Sequence, residues 1–466
     1  MEPEMREFLE RGLVSAARMR AVEGNAATLG VGSLQLMESA GRALAAMALG
    51  FSPSRVLVLC GKGRNGGDGM VAARFLQHLE TEVIYASDGP LARETVVELR
   101  ALAGSAVTLH PVRCASDVEI LSPLFTGADL IIDALLGTGA SGPAREPLSR
   151  CVELANAAPA PVIAADIPTP GMRATRILSF HRPKGGGAEV ADIGIPLAAE
   201  VFTGPGDLTL VPRRAAKAHK GENGEVLVIG GGPYQGAPYL AGLGALRAGA
   251  DIVRIASPVF EPVPDLIYER LEGDRITPDH LERILPLVER ADAVVVGNGL
   301  GSESREVVLA VAGAAKKAVF DADALRAPLP VAGETIYTPH AGEFQRMTGA
   351  APPEGLPTRG RAVRDAARGG VVLLKGPVDV ISDGTRVRFN PTGHPAMAVA
   401  GTGDVLAGVA GALLCRLPAF DAACIAAYVN GSAGMIAAGR RGDGMTASDL
   451  VEEIPAVLFA GGGGNG

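Results

Sequence analysis

Tryptophan is absent from the 466-residue sequence, and aromatic residues make up only 4% of it. Proteins that bind single-stranded nucleic acid stack the bases on aromatic side chains, so this class is disfavoured. The formal net charge is −8 and no run of basic residues occurs, which also argues against binding to a phosphate backbone. We therefore expect small-molecule ligands and no nucleic-acid partner.

Cysteine and long apolar runs are scarce as well. The five cysteines lie far apart with no CxxC or zinc-type spacing, which is typical of a reducing compartment and predicts a cytoplasmic protein. The uncharged stretch 422–439 is rich in Ala and Gly and is interrupted by Asn430, Gly431 and Ser432. We interpret it as a buried core helix rather than a membrane span, and we expect no membrane partner.

Glycine, by contrast, is abundant, with 62 residues, and strand-like and helix-like segments alternate along the chain. This alternation predicts an α/β fold with parallel sheets. A polar break at 211–225 divides the chain into two predicted domains, 1–214 and 215–460, followed by a disordered tail at 461–466. The predicted strands are 55–60, 81–87, 128–136 and 160–168 in the first domain and 224–231, 251–257, 291–299, 317–323 and 370–376 in the second.

The segment LCGKGRNGGDGM (59–70) has GxGxxG spacing at Gly61, Gly63 and Gly66. In a redox dinucleotide-binding loop, a pyrophosphate lies at the start of the helix that follows. Here Asp68 places a carboxylate at that point, where it would repel phosphate. The loop therefore favours binding through backbone groups, Asn65 and Asp68 over a redox fingerprint.

A second glycine-rich segment, AVAGTGDVLAG (398–408), has a sharper chemical pattern. The N–H groups of Gly401, Thr402 and Gly403 open a helix and can converge on one anion. Asp404 follows in the first turn, where it can accept the proton of a hydroxyl that attacks a bound phosphoryl group. The alternative is an aspartate that only complements the helix dipole.

Two further segments place polar side chains at strand ends. Only seven lysines occur against thirty-six arginines, yet Lys375 directly follows the apolar strand VVLL, where it can meet a nucleotide phosphate or form a structural salt bridge. In TPHAGEFQRM (338–347), Glu343 can cap a helix, and His340 can contact a ligand or stabilise the turn.

In this order, HKGENGEVLVIGG, VVVGNGLG, TPHAGEFQRM, LLKGP and NPTGHPAMAVAGTGDVLAG resemble the ADP-dependent NAD(P)H-hydrate dehydratase family. LQLMESAG, GKGRNGGDGMVAARFL, DALLGTGASGP and DIPTPG resemble the NAD(P)H-hydrate epimerase family. The whole chain is therefore similar to the bifunctional NAD(P)H-hydrate repair enzymes. This resemblance implies a Rossmann-like three-layer sandwich followed by a ribokinase-like α/β domain.

The resemblance implies that a damaged dinucleotide is the substrate. The first domain would interconvert the R and S hydrates of NAD(P)H. The second would transfer phosphate from ADP to the added hydroxyl of the S hydrate and eliminate it, with NAD(P)H, AMP and phosphate as products. Mg²⁺ is expected to bridge the phosphates, and a homo-oligomer is expected.

In the first domain, the resemblance assigns epimerisation to Asp166. Potassium ligands would be Asn65, Asp133 and Thr169, the last replacing the family's usual serine. Residues matching the hydrate-binding positions, besides Asp166, are Asn65, Gly66, Gly67, Asp68, Gly137, Thr138, Gly139, Ala140, Ser141, Gly142 and Pro143.

In the second domain, the resemblance implies that Asp404 is catalytic beside the anion hole of Gly401, Thr402 and Gly403. Hydrate-binding positions are Ala237, Gly299, His340 and Asp404, and ADP-binding positions are Lys375, Gly376, Pro377, Val378, Asp379 and Gly403. Asn298 and His394 replace a common Pro and a common Asn of the family, and neither is expected to contact the phosphoryl chemistry.

Two other functions fit parts of the sequence. A small-molecule kinase of the ribokinase class would share Asp404 and the anion hole, but it would prefer ATP and leave the first domain unexplained. Alternatively, the first domain could be a ligand-binding module without catalytic activity.

Overall fold

The structure, a computed structural model, describes residues 3–139, 142–215, 217, 219–301 and 303–459. The chain forms two compact units: an N-terminal unit, Glu10–Ala199, and a C-terminal unit that begins at Glu200 and includes the first residues through Leu9. The predicted domain bounds, 1–214 and 215–460, stay a prediction, because compact units and functional domains need not end at the same residue. The tail 461–466 lies outside the described residues.

The N-terminal unit contains a seven-stranded sheet in which all paired strands are parallel. The strand order is β3-β2-β1-β4-β5-β6-β7. Strands β1 to β3 therefore follow one another toward one edge of the sheet, and strands β4 to β7 follow one another toward the other edge. The strands are β1 (Arg55–Cys60), β2 (Glu80–Ala86), β3 (Thr108–Val112), β4 (Leu130–Ala134), β5 (Val162–Ala165), β6 (Arg176–Phe180) and β7 (Glu189–Ala191).

Helices cover both faces of this sheet. Alternate residues of β1 point to opposite sides, with Val56 and Val58 in one apolar cluster and Leu57 and Leu59 in another. This gives the predicted three-layer sandwich. Its helices are α1 (Ala16–Thr28), α2 (Ser33–Leu49), α3 (Arg64–Phe75), α4 (Arg93–Leu102), α5 (Ala115–Ile120), α6 (Ser122–Gly127) and α7 (Leu148–Ala157), and the division between the units falls within α8 (Leu197–Val201).

The C-terminal unit contains a nine-stranded sheet in the order β10-β9-β8-β11-β12-β13-β14-β15-β16. Its pairs are parallel as far as β14, and β14, β15 and β16 pair antiparallel. The strands are β8 (Glu225–Ile229), β9 (Ile252–Ser257), β10 (Ile267–Arg270), β11 (Ala293–Val296), β12 (Lys317–Phe320), β13 (Glu334–Tyr337), β14 (Val371–Leu374), β15 (Asp379–Ser382) and β16 (Val387–Asn390).

Small residues allow the helices of the C-terminal unit to pack closely on this sheet. The 422–439 stretch lies in a 23-residue helix, and most of its apolar side chains are buried in the main core, as predicted. By length and composition alone, this region could cross a membrane. The helices are α9 (Ala237–Arg247), α10 (Leu281–Arg290), α11 (Arg305–Ala314), α12 (Ala341–Thr348), α13 (Leu356–Ala366), α14 (Thr402–Leu414), α15 (Ala419–Arg441) and α16 (Ala447–Phe459).

Most of the glycine-rich segment of the N-terminal unit is helical. The helix α3 begins at Arg64, so Asn65, Gly66, Gly67 and Asp68 lie in its first turns. The start of α3 lies very close to the backbone of the preceding loop, and this is possible because Gly66 has no side chain. A Cβ atom on Gly66 would lie 2.0 Å from the carbonyl oxygen of Gly61.

The close contact between the backbones of α9 and α14 predicts that the stability of the C-terminal unit depends strongly on Gly408. A Cβ atom there would lie 1.8 Å from the carbonyl oxygen of Ala241, and neither backbone can yield easily. We expect Gly408→Ala to lower the free energy of unfolding of the C-terminal unit by about 1–3 kcal/mol. The helical control Gly439→Ala, which meets nothing within 4 Å, should be neutral or stabilise by up to about 1 kcal/mol.

Hydrogen exchange of the α9 and α14 amides in the full chain measures this unit by itself. Equal protection in Gly408→Ala and Gly439→Ala would contradict the close packing of these helices.

Candidate active sites

A cavity of about 450 Å³ lies in the N-terminal unit at the carboxyl ends of β1, β4 and β5. This is where the strand order reverses, the usual ligand position in an open α/β sheet. Three of the loop residues predicted to bind the hydrate, Gly137, Thr138 and Gly139, line the cavity. Ala140 and Ser141 fall outside the described residues, and Gly142 and Pro143 are not among the lining residues described.

Three carboxylates converge around one lysine in this cavity. Asp166 follows β5 with φ of +67°, an uncommon conformation for a residue with a side chain. Its carboxylate forms an ion pair with the ammonium group of Lys184, which also donates to the carbonyl oxygen of Phe180 at 2.9 Å. Glu23 of α1 and Asp68 of α3 line the same cavity.

Burial and mutual repulsion decide the protonation of this group. Burial raises the pKa of Asp68 well above its usual range, and the negative charges of Asp166 and Glu23 raise it further. Burial also raises the pKa of Glu23, although Arg64 lies 3.5 Å away and opposes this. The cavity therefore favours having a protonated carboxyl group beside an ionised one.

The predicted cation ligands lie next to this cavity. Thr169 donates its hydroxyl and its N–H to Asp133 at 2.7 and 2.8 Å, and burial raises the pKa of this fully buried carboxylate. Neither polar atom of the buried Asn65 side chain has a hydrogen-bond partner among the described residues. A Cβ atom on Gly137 would lie 3.3 Å from the amide carbon of Asn65. An oxygen-rich group with an unpartnered amide is suited to a cation.

In the C-terminal unit, the N-terminus of α14 supplies the predicted anion-binding amides. Gly401 precedes the helix with φ of +98°, a conformation that favours glycine, and the helix begins at Thr402. The N–H groups of a first turn have no partner within their helix, so those of Thr402 and Gly403 are available to a ligand. Asp404 lies in the same turn.

A hydrogen-bonded chain links Asp404 to Lys375. Asn298 donates its amide to Asp404 at 2.7 Å and to Asp321 at 3.2 Å, and Lys375 forms an ion pair with Asp321 at 2.9 Å. Burial raises the pKa of Asp404 to about 6, although the hydrogen bond from Asn298 lowers it. Burial lowers the pKa of Lys375, but Asp321 and Glu343 outweigh this effect and raise it overall. Lys375 is therefore charged, and Asp404 is ionised above about pH 6.

A cavity of about 800 Å³ lies beside this chain and includes most of the predicted ADP-binding positions. Gly376 donates its N–H to Asp379 at 2.9 Å, and Asn390 donates to the other oxygen of that carboxylate. Burial raises the pKa of Asp379 to about 6. Val378 belongs to the same loop without lining the cavity. The lining includes Lys375, Gly376, Pro377, Asp379, His394, Thr402 and Gly403.

The predicted hydrate-binding residues come from three different segments of the C-terminal unit. Gly299 follows Asn298 directly, Ala237 is the first residue of α9, and His340 lines the 800 Å³ cavity. The ring of His340 accepts the N–H groups of Gly342 and Glu343, and Glu343 accepts the N–H of His340, which completes the predicted helix cap. The imidazole remains largely exposed toward solvent, and its Nε2 atom lies 3.3 Å from a carboxylate oxygen of Glu343.

Comparison with known proteins identifies the family of this chain. The NAD(P)H-hydrate dehydratase profile matches residues 226–456, and the profile called YjeF-related protein N-terminus matches residues 33–184. The chain is 54% identical to the bifunctional NAD(P)H-hydrate repair enzyme Nnr of Methanospirillum hungatei JF-1, over 97% of this chain and 95% of the relative. This chain belongs to the bifunctional NAD(P)H-hydrate repair enzyme family.

Another relative supports the same assignment. The enzyme of the same name from Archaeoglobus fulgidus is 39% identical over 96% of this chain and 98% of the relative. A solved ADP/ATP-dependent NAD(P)H-hydrate dehydratase from Bacillus subtilis is 30% identical, with a TM-score of 0.49, and the match covers 56% of this chain and 98% of that chain. The predicted repair function, hydrate epimerisation with ADP-dependent dehydration, is confirmed, and the kinase alternative is not favoured.

Sequence reasoning about this repair enzyme was wrong on Asn298. This residue was expected to be remote from the phosphoryl chemistry, but its amide contacts Asp404 because the loop after β11 meets the start of α14. Asp321 pairs with Lys375, a contact that the sequence motifs do not predict. Lys184 and Glu23 were not predicted as site residues, although the scarcity of lysine was one signal that pointed to Lys184.

The contact between Asn298 and Asp404 predicts the pH dependence of dehydration. The sequence predicts that Asp404 acts as a base, which requires its ionised form, so kcat is expected to rise with pH through about 6. Asn298→Ala removes a donor that favours the ionised form of Asp404. The rising limb of the plot of kcat against pH should therefore move to higher pH by about one to two units. Steady-state dehydratase rates between pH 5 and 9 measure this shift.

The matched control is Asn223→Ala, which removes an Asn–Asp hydrogen bond elsewhere in the C-terminal unit. Its pH profile should match that of the unsubstituted enzyme. An unmoved limb in Asn298→Ala would contradict the proposed control of Asp404 by this amide.

Proposed function

We propose that the C-terminal unit turns the added hydroxyl of the S hydrate into a phosphate ester and then eliminates the phosphate, and that the N-terminal unit supplies the S hydrate by epimerisation. The observation that supports this proposal best is the position of Asp404. Its carboxylate lies in the first turn of α14 and reaches Asn298, next to Gly299, while Gly403 of the same turn faces the larger cavity. A base therefore lies between a hydrate position and a nucleotide position.

The dehydration begins with Asp404 accepting the hydroxyl proton as the oxygen attacks the terminal phosphorus of ADP. The amides of Gly401, Thr402 and Gly403 would stabilise the charge on the transferring group, and AMP is released. The carbon–oxygen bond then breaks, helped by the lone pair of the ring nitrogen. The neighbouring ring carbon loses a proton, which restores the double bond. Phosphate leaves readily, whereas hydroxide does not.

The nucleotide would be held by the segment Lys375–Asp379 and by Gly403. A Cβ atom on Gly403 would lie 3.3 Å from the ammonium nitrogen of Lys375, so cation and amides can contact the same phosphate. Ala237, Gly299 and His340 would bind the hydrate, with Gly299 next to Asn298 and His340 at the wall of the nucleotide cavity.

Magnesium would be held chiefly by the phosphates. The described residues include no group of three or more His, Cys, Asp or Glu side chains arranged to hold a metal ion. Mg²⁺ at phosphate sites commonly takes only one or two carboxylates, with water and phosphate as its other ligands. Asp321 and Glu343 fit that role, because both face Lys375 beside the anion-binding amides. When bound, the ion neutralises phosphate charge.

In the N-terminal unit, Asp166 would exchange protons with the hydrate as its ring opens and closes or as its hydroxyl is reversibly lost. The helix residues Asn65–Asp68 and the loop 137–143 would bind the hydrate. Potassium would be held by Asn65, Asp133 and Thr169, whose neutral and anionic oxygens fit a weakly charged cation. When bound, the ion balances the buried Asp133 and orients the Asn65 amide. Cytoplasmic location and homo-oligomeric assembly remain predictions from the sequence.

A racemic mixture of NADH hydrates tests both activities in one polypeptide. With ADP, the unsubstituted enzyme should convert all of the hydrate to NADH, as measured by absorbance. Asp166→Asn should stop near half, after allowance for slow spontaneous epimerisation, because only the S hydrate reacts. Asp404→Asn should slow NADH formation by about 10²- to 10⁴-fold, since its amide cannot accept the proton.

The exposed Asp443→Asn serves as the control and should behave like the unsubstituted enzyme. Full-rate recovery with Asp404→Asn would exclude this carboxylate as the base. Complete conversion by Asp166→Asn at the original rate would exclude its role in epimerisation.

A further inference from the structure

Lys184 holds a position in the N-terminal cavity that neither the sequence motifs nor the family assignment explains. It follows β6, whereas Asp166 follows β5, so the ion pair joins the ends of two adjacent strands. The ammonium group is almost fully buried and lines the cavity. Its second partner, the carbonyl oxygen of Phe180, fixes the position of the nitrogen.

We propose that Lys184 is a positioning residue for epimerisation, which holds the Asp166 carboxylate in place and provides the positive charge beside it while it accepts the hydroxyl proton of the hydrate. This inference rests on the proposed role of Asp166. It adds a residue whose contribution is made through its neighbour and not through contact with substrate.

The other charges facing Asp166 make such a cation necessary. Helices α1 and α3 bring both acidic side chains and arginines to the cavity. The guanidinium group of Arg64 lies 3.5 Å from Glu23 and 3.6 Å from Glu94, so its charge is directed toward those two carboxylates. Without Lys184, Asp166 would face two carboxyl groups that disfavour its ionisation. The charged groups involved are Arg20 and Glu23 on α1, Arg64 and Asp68 on α3, and Lys184 after β6.

The ion pair also fits the proton balance of epimerisation. If the ring opens, the hydroxyl loses its proton to Asp166, the carbon–nitrogen bond breaks, and the ring nitrogen gains a proton. Asp68 can donate that proton, because burial and neighbouring carboxylates favour its protonated form. Closure on the other face reverses both transfers, so no net proton or electron is consumed. Epimerisation by this route thus needs a base and a protonated acid at the same time. Lys184 forms its ion pair with Asp166, the residue that acts as the base.

The test compares Lys184→Gln and Lys184→Arg in the full chain by following R-to-S conversion as a function of pH. Lys184→Gln removes the charge, so the rising limb of the plot of kcat against pH should move to higher pH by about one to three units. Below the limb, kcat should fall about tenfold for each unit of that shift. KM should change little, and Lys184→Arg should return the limb to its original position.

Lys62→Gln is the matched control, since Lys62 also pairs with an aspartate, Asp88, but does not line the cavity. Its profile should be unchanged. An unmoved limb in Lys184→Gln would overturn the inference, as would a rise in KM with kcat and its pH profile preserved, because that result assigns Lys184 to substrate binding.

If Lys184→Gln does not fold, Lys184→Arg decides the question. A limb that moves upward although the charge is retained overturns the inference, and a limb at its original pH supports it. Asp166→Asn separates the two levels of the proposal. Unimpaired epimerisation in that variant refutes the role of Asp166 itself, whereas its loss together with an unmoved Lys184→Gln profile refutes only the role of Lys184.

Discussion

The chemistry proposed for the C-terminal unit depends on a carboxylate held close to a helix N-terminus. Burial penalises the charge of Asp404, whereas the hydrogen bond from Asn298 favours it, and the net effect raises the pKa of this carboxyl group to about 6. The chain of Asn298, Asp321 and Lys375 fixes its orientation. Closely packed α9 and α14 and the parallel strands beneath them hold this group in place.

Both sites use the same arrangement of charges on different folds. In the C-terminal unit, Lys375 lies among Asp321, Glu343 and Asp404, and in the N-terminal unit Lys184 lies among Glu23, Asp68 and Asp166. In each case one cation cannot neutralise three carboxylates. A proton or a bound cation must therefore provide the remaining positive charge. A proton suits the N-terminal site to proton exchange, and a bound cation suits the C-terminal site to magnesium and phosphate.

The sequence predicted the elements with strong local signals and missed those that depend on distant contacts. The apolar run RVLVLC gave β1 with correct bounds, and GTGD gave the start of α14 because glycine and the first-turn aspartate are local features. The strand TLHPV was missed, since its proline and histidine weaken the pattern. The contact between Asn298 and Asp404 joins residues 106 positions apart, and no local pattern reports it.

The fate of the hydroxyl oxygen tests the central claim most directly. The S hydrate can be prepared with ¹⁸O in its added hydroxyl and converted with ADP by the unsubstituted enzyme, and the products analysed by mass spectrometry. If the hydroxyl attacks phosphorus and leaves as part of an ester, the label must appear in inorganic phosphate. Label released as water, with unlabelled phosphate, would contradict the account.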